Sequence, residues 1–172
     1  MKQSGRNIKR RLYSLTLIGN RLSRIRHFRG HGVHSPFVYN LVRKVFMYKS
    51  LTESEQHPLY DRLKALGTPE RRAIELQNTM YHLGYTTFSI DSALVDKEFN
   101  IITRTLPTCQ LQAIAQSAVE HKSTLVILSP YFDKERTTLC TELITSHSST
   151  SVDNRAYLIL FNNHLPKQHF RL

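Results

Sequence analysis

Residues Thr124-Leu-Val-Ile-Leu128 form an unbroken apolar run that stops at Ser129-Pro130. A strand with one wet face alternates polar and apolar side chains. A run without alternation belongs to a strand covered on both faces. Such strands sit inside parallel sheets, with helices packed above and below. The run therefore predicts an α/β protein, and the rest of the chain must supply two covering layers. At 172 residues, 40% of them apolar, one ordinary domain with a real core is expected.

The order of elements agrees. Residues Ile8 to Phe28 read as a helix, with Leu12, Leu15, Ile18, Leu22 and Ile25 on one stripe. It should end near Gly30 and Gly32, where glycine weakens helix. Ser35 as N-cap and Pro36 at the first helical position mark a second helix, with Phe37, Leu41, Val45 and Tyr48 as its stripe. A third is expected from a capping box at Thr52-Glu53-Ser54-Glu55 to Gly67. A fourth runs from Thr68-Pro69 to Gly84 through Ile74, Leu76, Met80 and Leu83.

After Gly84 the period changes. Thr86 to Asp91 and Asn100 to Thr103 read as strands, and Leu111, Ile114, Ala115, Ala118 and Val119 as helix. Asp133 to Ser146 is a further helix, with Asp133 and Glu135 favoured by the dipole of its first turn. Thr150 to Asp153 and Tyr157 to Phe161 form two closing strands, a hairpin around Asp153-Asn154-Arg155-Ala156. Several helices, then alternating strand and helix, then closing strands imply a helical N-terminal extension (1–50) ahead of an α/β domain (51–172).

The net charge of +11 is unevenly placed. Twelve of the 24 Lys and Arg residues precede Glu53 and no acid does; the other twelve face all thirteen acids. A basic arm on a near-neutral body holds phosphates or an anionic surface, docks an acidic partner, or serves solubility alone. Arg10, Arg11, Arg21, Arg24, Arg26 and Arg29, with His34 beside them, are the anion-binding candidates.

Other chemistries find little footing. No run of about 18 apolar residues spans a membrane. Arg21, Arg24, Arg26 and Arg29 follow the apolar patch Leu12 to Ile18 where a signal peptide needs small residues, so a cytoplasmic protein is expected. Cys109 and Cys140 then read as reduced thiols. His27, His31 and His34 have metal-compatible spacing, but Gly30 and Gly32 interrupt the helix and no fourth ligand is near, so no metal site is assigned. Ser35 and Cys140 lie in no nucleophile elbow and have no assignable base. Phe37, Tyr39 and Phe46 read as core, and no RNA-recognition or zinc-finger signature is present.

Two segments resemble a bacterial family of class I S-adenosylmethionine-dependent O-methyltransferase-like proteins. One is Arg29-Gly-His-Gly-Val-His-Ser-Pro-Phe-Val-Tyr-Asn-Leu-Val-Arg-Lys-Val-Phe46, similar to the "HGVHSPFV" element that precedes the family's methyltransferase domain. The other is Leu125 to Leu172, which resembles the family's closing portion: a sheet strand, a helix, then two strands ending in a "KQHF" element, here Lys167-Gln168-His169-Phe170. The resemblance implies a partial Rossmann-like methyltransferase sheet with closing antiparallel strands, and S-adenosylmethionine as the family's cofactor.

The family's cofactor loop, E-x-G-x-x-x-G after its first strand, has no counterpart. Such a loop turns sharply and approaches the ligand closely, which glycine alone does without steric cost. The six glycines are Gly5, Gly19, Gly30, Gly32, Gly67 and Gly84, and every expected strand lies beyond the last. Where relatives carry acids at the end of the late strand, this chain has Ser129-Pro130-Tyr131.

The leading expectation is a shortened methyltransferase-like pseudoenzyme with a binding or scaffold role, pairing with itself or with an intact relative. The alternatives are an active methyltransferase with an unusual cofactor site at Asp91, Ser92 and Ser129, and nucleic-acid or anionic-surface binding through the arm. Asp91, at a strand's carboxyl end, reads either as that contact or as a helix N-cap.

Overall fold

The structure, a computed structural model, describes residues 34–52 and 56–172. The expected first helix and the glutamates of the capping box at 52–55 lie outside these residues.

Among the described residues the first element is α1 (Pro36–Leu41), which continues as one π-helical turn over Val42–Phe46. Ser35 caps it as expected: its side chain accepts a hydrogen bond from the Val38 N–H. Two further helices follow, α2 (Pro58–Ala65) and α3 (Glu70–His82). The expected opening of α2 at Thr52 is corrected, because residues 56–57 are not helical. Proline at Pro58 suits a first turn, where the missing N–H has no partner to lose.

Then come β1 (Phe88–Ile90), β2 (Phe99–Ile102), α4 (Leu111–Glu120), β3 (Thr124–Leu128), α5 (Lys134–Ser146), β4 (Thr150–Asp153), β5 (Tyr157–Leu160) and β6 (Gln168–Arg171). Cys109 lies in a 3-10 turn, Thr108–Gln110, just ahead of α4.

The six strands form one mixed sheet in the order β1-β2-β3-β5-β4-β6. β1, β2 and β3 run parallel, with Phe88 beside Phe99 and Ile101 beside Val126. β5 is antiparallel to both its neighbours, and β6 pairs parallel to β4. The β4–β5 hairpin is present as expected. The last strand was not foreseen, because Gln-His-Phe-Arg lacks a strand's apolar alternation.

All five residues of β3 are buried, as its composition requires. One face of the sheet packs Phe99, Ile101, Val126, Val152, Tyr157 and Ile159 against Val38, Leu41, Val45, Leu59, Leu63, Ala73, Leu76 and Met80 of α1 to α3. The other packs Ile102, Leu125, Ile127, Leu158 and Leu160 against Leu111, Ile114, Ala118, Cys140 and Leu143 of α4 and α5. The helix–sheet–helix sandwich is thus complete within the described residues, and α1 shares its core with the sheet.

The stripe on α1 differs from expectation. Val38, Leu41, Val42 and Val45 are buried, Phe37 and Phe46 are half-buried, and Tyr48 is 58% exposed. The Met47 N–H donates to Val42, five residues back. Tyr48 follows the end of this turn in non-helical backbone, so the helical stripe stops before it. Tyr39, expected in the core, is also exposed.

Candidate functional site

In open α/β sheets ligands enter at the carboxyl ends of the parallel strands. Here that edge is made by Asp91 after β1, Thr103 after β2, Ser129 after β3, and the turn Asp153-Asn154-Arg155 after β4. Three of these residues hold left-handed backbone: Asp91 (φ 53°), Ser129 (φ 51°) and Arg155 (φ 71°). Each side chain then turns the chain where glycine is the easier choice.

Asp91 neither caps a helix nor faces outward. One carboxylate oxygen accepts the Thr103 N–H at 2.6 Å and the other accepts the Thr103 hydroxyl at 2.6 Å. Thr103 Oγ1 also lies 2.6 Å from Thr105 Oγ1. The N-cap reading of Asp91 is corrected: its carboxylate ties β1 to the end of β2. Ser92 accepts the Leu94 N–H and shapes the connection between the two strands. Residues 91–98 pass from β1 into the adjacent β2 with no helix and no glycine among them. Ser129 is fixed through its backbone, its N–H donating to Ala156 at 2.7 Å. β2 separates β1 from β3, so Asp91 and Ser129 stand about 10 Å apart. The structure does not bring the three candidate residues together.

Between them lies a residue the sequence did not announce. Arg136, in the first turn of α5, is 2% exposed. Its Nη2 donates to the carbonyls of Thr103 (3.0 Å) and Leu128 (3.1 Å), which closes the gap between the ends of β2 and β3. Its Nε has no partner among the described residues. Burial lowers the guanidinium's pKa, while Cys140, Asp133 and Asp91 nearby favour the charge. Asp133 caps α5 through the Arg136 N–H (2.9 Å), so the expected dipole role of Asp133 becomes that of a cap. Beside them the Arg104 guanidinium stacks over Phe132 at 5.0 Å.

A second buried polar cluster ties α3 to the β4–β5 hairpin. The Glu75 carboxylate, 1% exposed, accepts Arg71 Nε (3.0 Å), Arg72 Nη1 (2.6 Å), the Tyr157 hydroxyl (3.0 Å) and Asn154 Nδ2 (3.3 Å). Burial first, and Glu75 second, push the Tyr157 phenol well above its ordinary pKa. It stays a hydrogen-bond donor and offers no phenolate base. The Tyr131 hydroxyl donates to buried Asp153, whose other oxygen accepts the Arg155 N–H at 2.7 Å. These groups are engaged with one another, so the geometry serves cohesion of the edge.

Arg10, Arg11, Arg21, Arg24, Arg26 and Arg29 lie outside the described residues; His34 is exposed ahead of α1. Among the described residues no three His, Cys, Asp or Glu side chains converge on a metal position, and no helix is long and apolar enough to cross a membrane. Fold and edge together define an α/β protein with a six-stranded mixed sheet and an internally hydrogen-bonded carboxyl edge. No family model, curated protein or solved structure matches the chain.

Proposed function

We propose that the chain is a methyltransferase-like α/β protein that does not transfer methyl groups on its own, and that it acts as a binding or scaffold body. One observation carries this reading. At the strand end where a nucleotide's ribose would need a free acid and a glycine turn, both oxygens of Asp91 are held by Thr103. The connection that follows returns directly into β2.

Two features support it further. The parallel crossovers β1→β2, β2→β3 and β3→β4 all advance in one direction across the sheet. The reversal of direction that opens a ligand crevice in doubly wound sheets is therefore missing from the described strands. Arg136 also bridges the ends of β2 and β3. From β3 to β6 the order is a strand, a helix and three strands, the last over Gln168–Arg171, one strand more than the resemblance to class I methyltransferases implied.

The active alternative requires Asp91 to release Thr103, leaving a nine-tenths-buried N–H without a partner. The test is thermal unfolding with S-adenosylhomocysteine. A ligand at 100 times its Kd adds about 2.7 kcal/mol and moves the midpoint by several degrees. An unmoved midpoint at millimolar ligand is expected; a shift of several degrees overturns the proposal.

A further inference from the structure

We infer that the exposed surface of α1, its π turn and the residues that follow binds single-stranded nucleic acid, with Arg43, Lys44 and Lys49 on phosphates and Tyr39 and Tyr48 under bases. This is independent of the cofactor reading above.

The argument begins with what the helix keeps inside. Val38, Leu41, Val42 and Val45 are all in the core, so the outward side is Tyr39, Arg43, Lys44, Met47, Tyr48 and Lys49. Tyr39 is 43% and Tyr48 58% exposed, which leaves both rings open to a partner. A π turn, a feature that recurs at functional sites, lies between Tyr39 and Tyr48, which follows the helix end in non-helical backbone.

Among the described residues none of the three cations has a carboxylate within ion-pair distance, and no acid precedes Glu53 in the sequence. Lys44 stands near His82 on α3, whose imidazole pKa is lowered by burial first and by Lys44 second, which favours the neutral ring.

Cations interleaved with exposed rings match a chain that alternates phosphates and flat bases. Tyr39 and Arg43 stand four residues apart on one face, about 6 Å between Cβ atoms. A lipid surface fits less well. An interfacial helix needs a broad apolar face, and here that face is in the core, leaving Met47 as the single aliphatic side chain outward.

The experiment is fluorescence anisotropy of the full chain with a labelled single-stranded oligonucleotide of about 20 nucleotides, from about 50 to 200 mM salt. Two variants probe the face, Arg43→Gln/Lys44→Gln/Lys49→Gln and Tyr39→Ala/Tyr48→Ala. All five side chains are exposed, and circular dichroism and the melting midpoint check that each variant folds. Each is expected to raise Kd about tenfold or more. The triple variant should also flatten the slope of log K against log salt by about 2. The inference is overturned if both variants bind as the parent does while glutamine at Arg10, Arg11, Arg21, Arg24, Arg26 and Arg29 abolishes binding. It is equally overturned if the parent binds no oligonucleotide at about 50 mM salt, or binds only anionic vesicles.

Discussion

Cys140 shows how burial decides chemistry at single residues. It is 1% exposed on α5 and its thiol is pushed up to about 12, mainly by desolvation, with Arg136 opposing. Cys109 is exposed. A thiol reagent at neutral pH should therefore modify one cysteine per folded chain and both after denaturation; equal rates in the native protein would refute this assignment. Asp91 makes a similar point. From sequence it read as a cap or a cofactor contact, because a lone carboxylate after a strand does not reveal its partner twelve residues away. Asp91→Ala leaves the Thr103 N–H orphaned and should cost about 1–3 kcal/mol in urea unfolding. Arg136 was illegible for the same reason: Lys-Glu-Arg-Thr-Thr reads as a solvated first turn until β2 and β3 are placed beside it.

The elements themselves were largely legible. The change of period after Gly84, the Ser35-Pro36 cap and the apolar run of β3 are local signals, and all three hold. What failed depended on non-local or rare geometry: the π turn in α1, and β6, which is a strand because β4 offers it a ladder. The helix ends share one device. α2 and α3 finish with Gly67 and Gly84 in left-handed backbone, and α4 finishes with Lys122 there (φ 52°). In each the next N–H reaches back to the last turn, as Ser123 does to Ala118 at 3.0 Å. Lys122→Gly should stabilise the protein by roughly 0.5–1 kcal/mol, seen as a raised melting midpoint. The tie between α3 and the hairpin should act oppositely. Glu75→Ala leaves Tyr157 and Asn154 facing two arginines without a carboxylate and should cost about 3 kcal/mol or more in the same assay.

Across the whole molecule, stability should fall on the acid side through His147. This ring is 5% exposed at the end of α5, its Nε2 is 3.1 Å from the Phe161 carbonyl, and burial lowers its pKa below 6.5. The unfolded chain then binds the proton more readily than the folded one. The contribution is complete above about 6.5 and is lost as the pH falls through the lowered value. His147→Gln should flatten the acid limb of stability against pH.

The α/β class, the two covering layers and the absence of glycine beyond Gly84 could all be read from the sequence. The closure of the carboxyl edge could not, since Asp91, Thr103, Leu128 and Arg136 converge only in three dimensions. That closure is the central claim, and calorimetric titration with S-adenosylmethionine and S-adenosylhomocysteine tests it most directly. No heat of binding at high protein concentration is the expected result. Micromolar binding of either compound, about −8 kcal/mol, would contradict it and return Asp91, Ser92 and Ser129 to the centre of a working cofactor site.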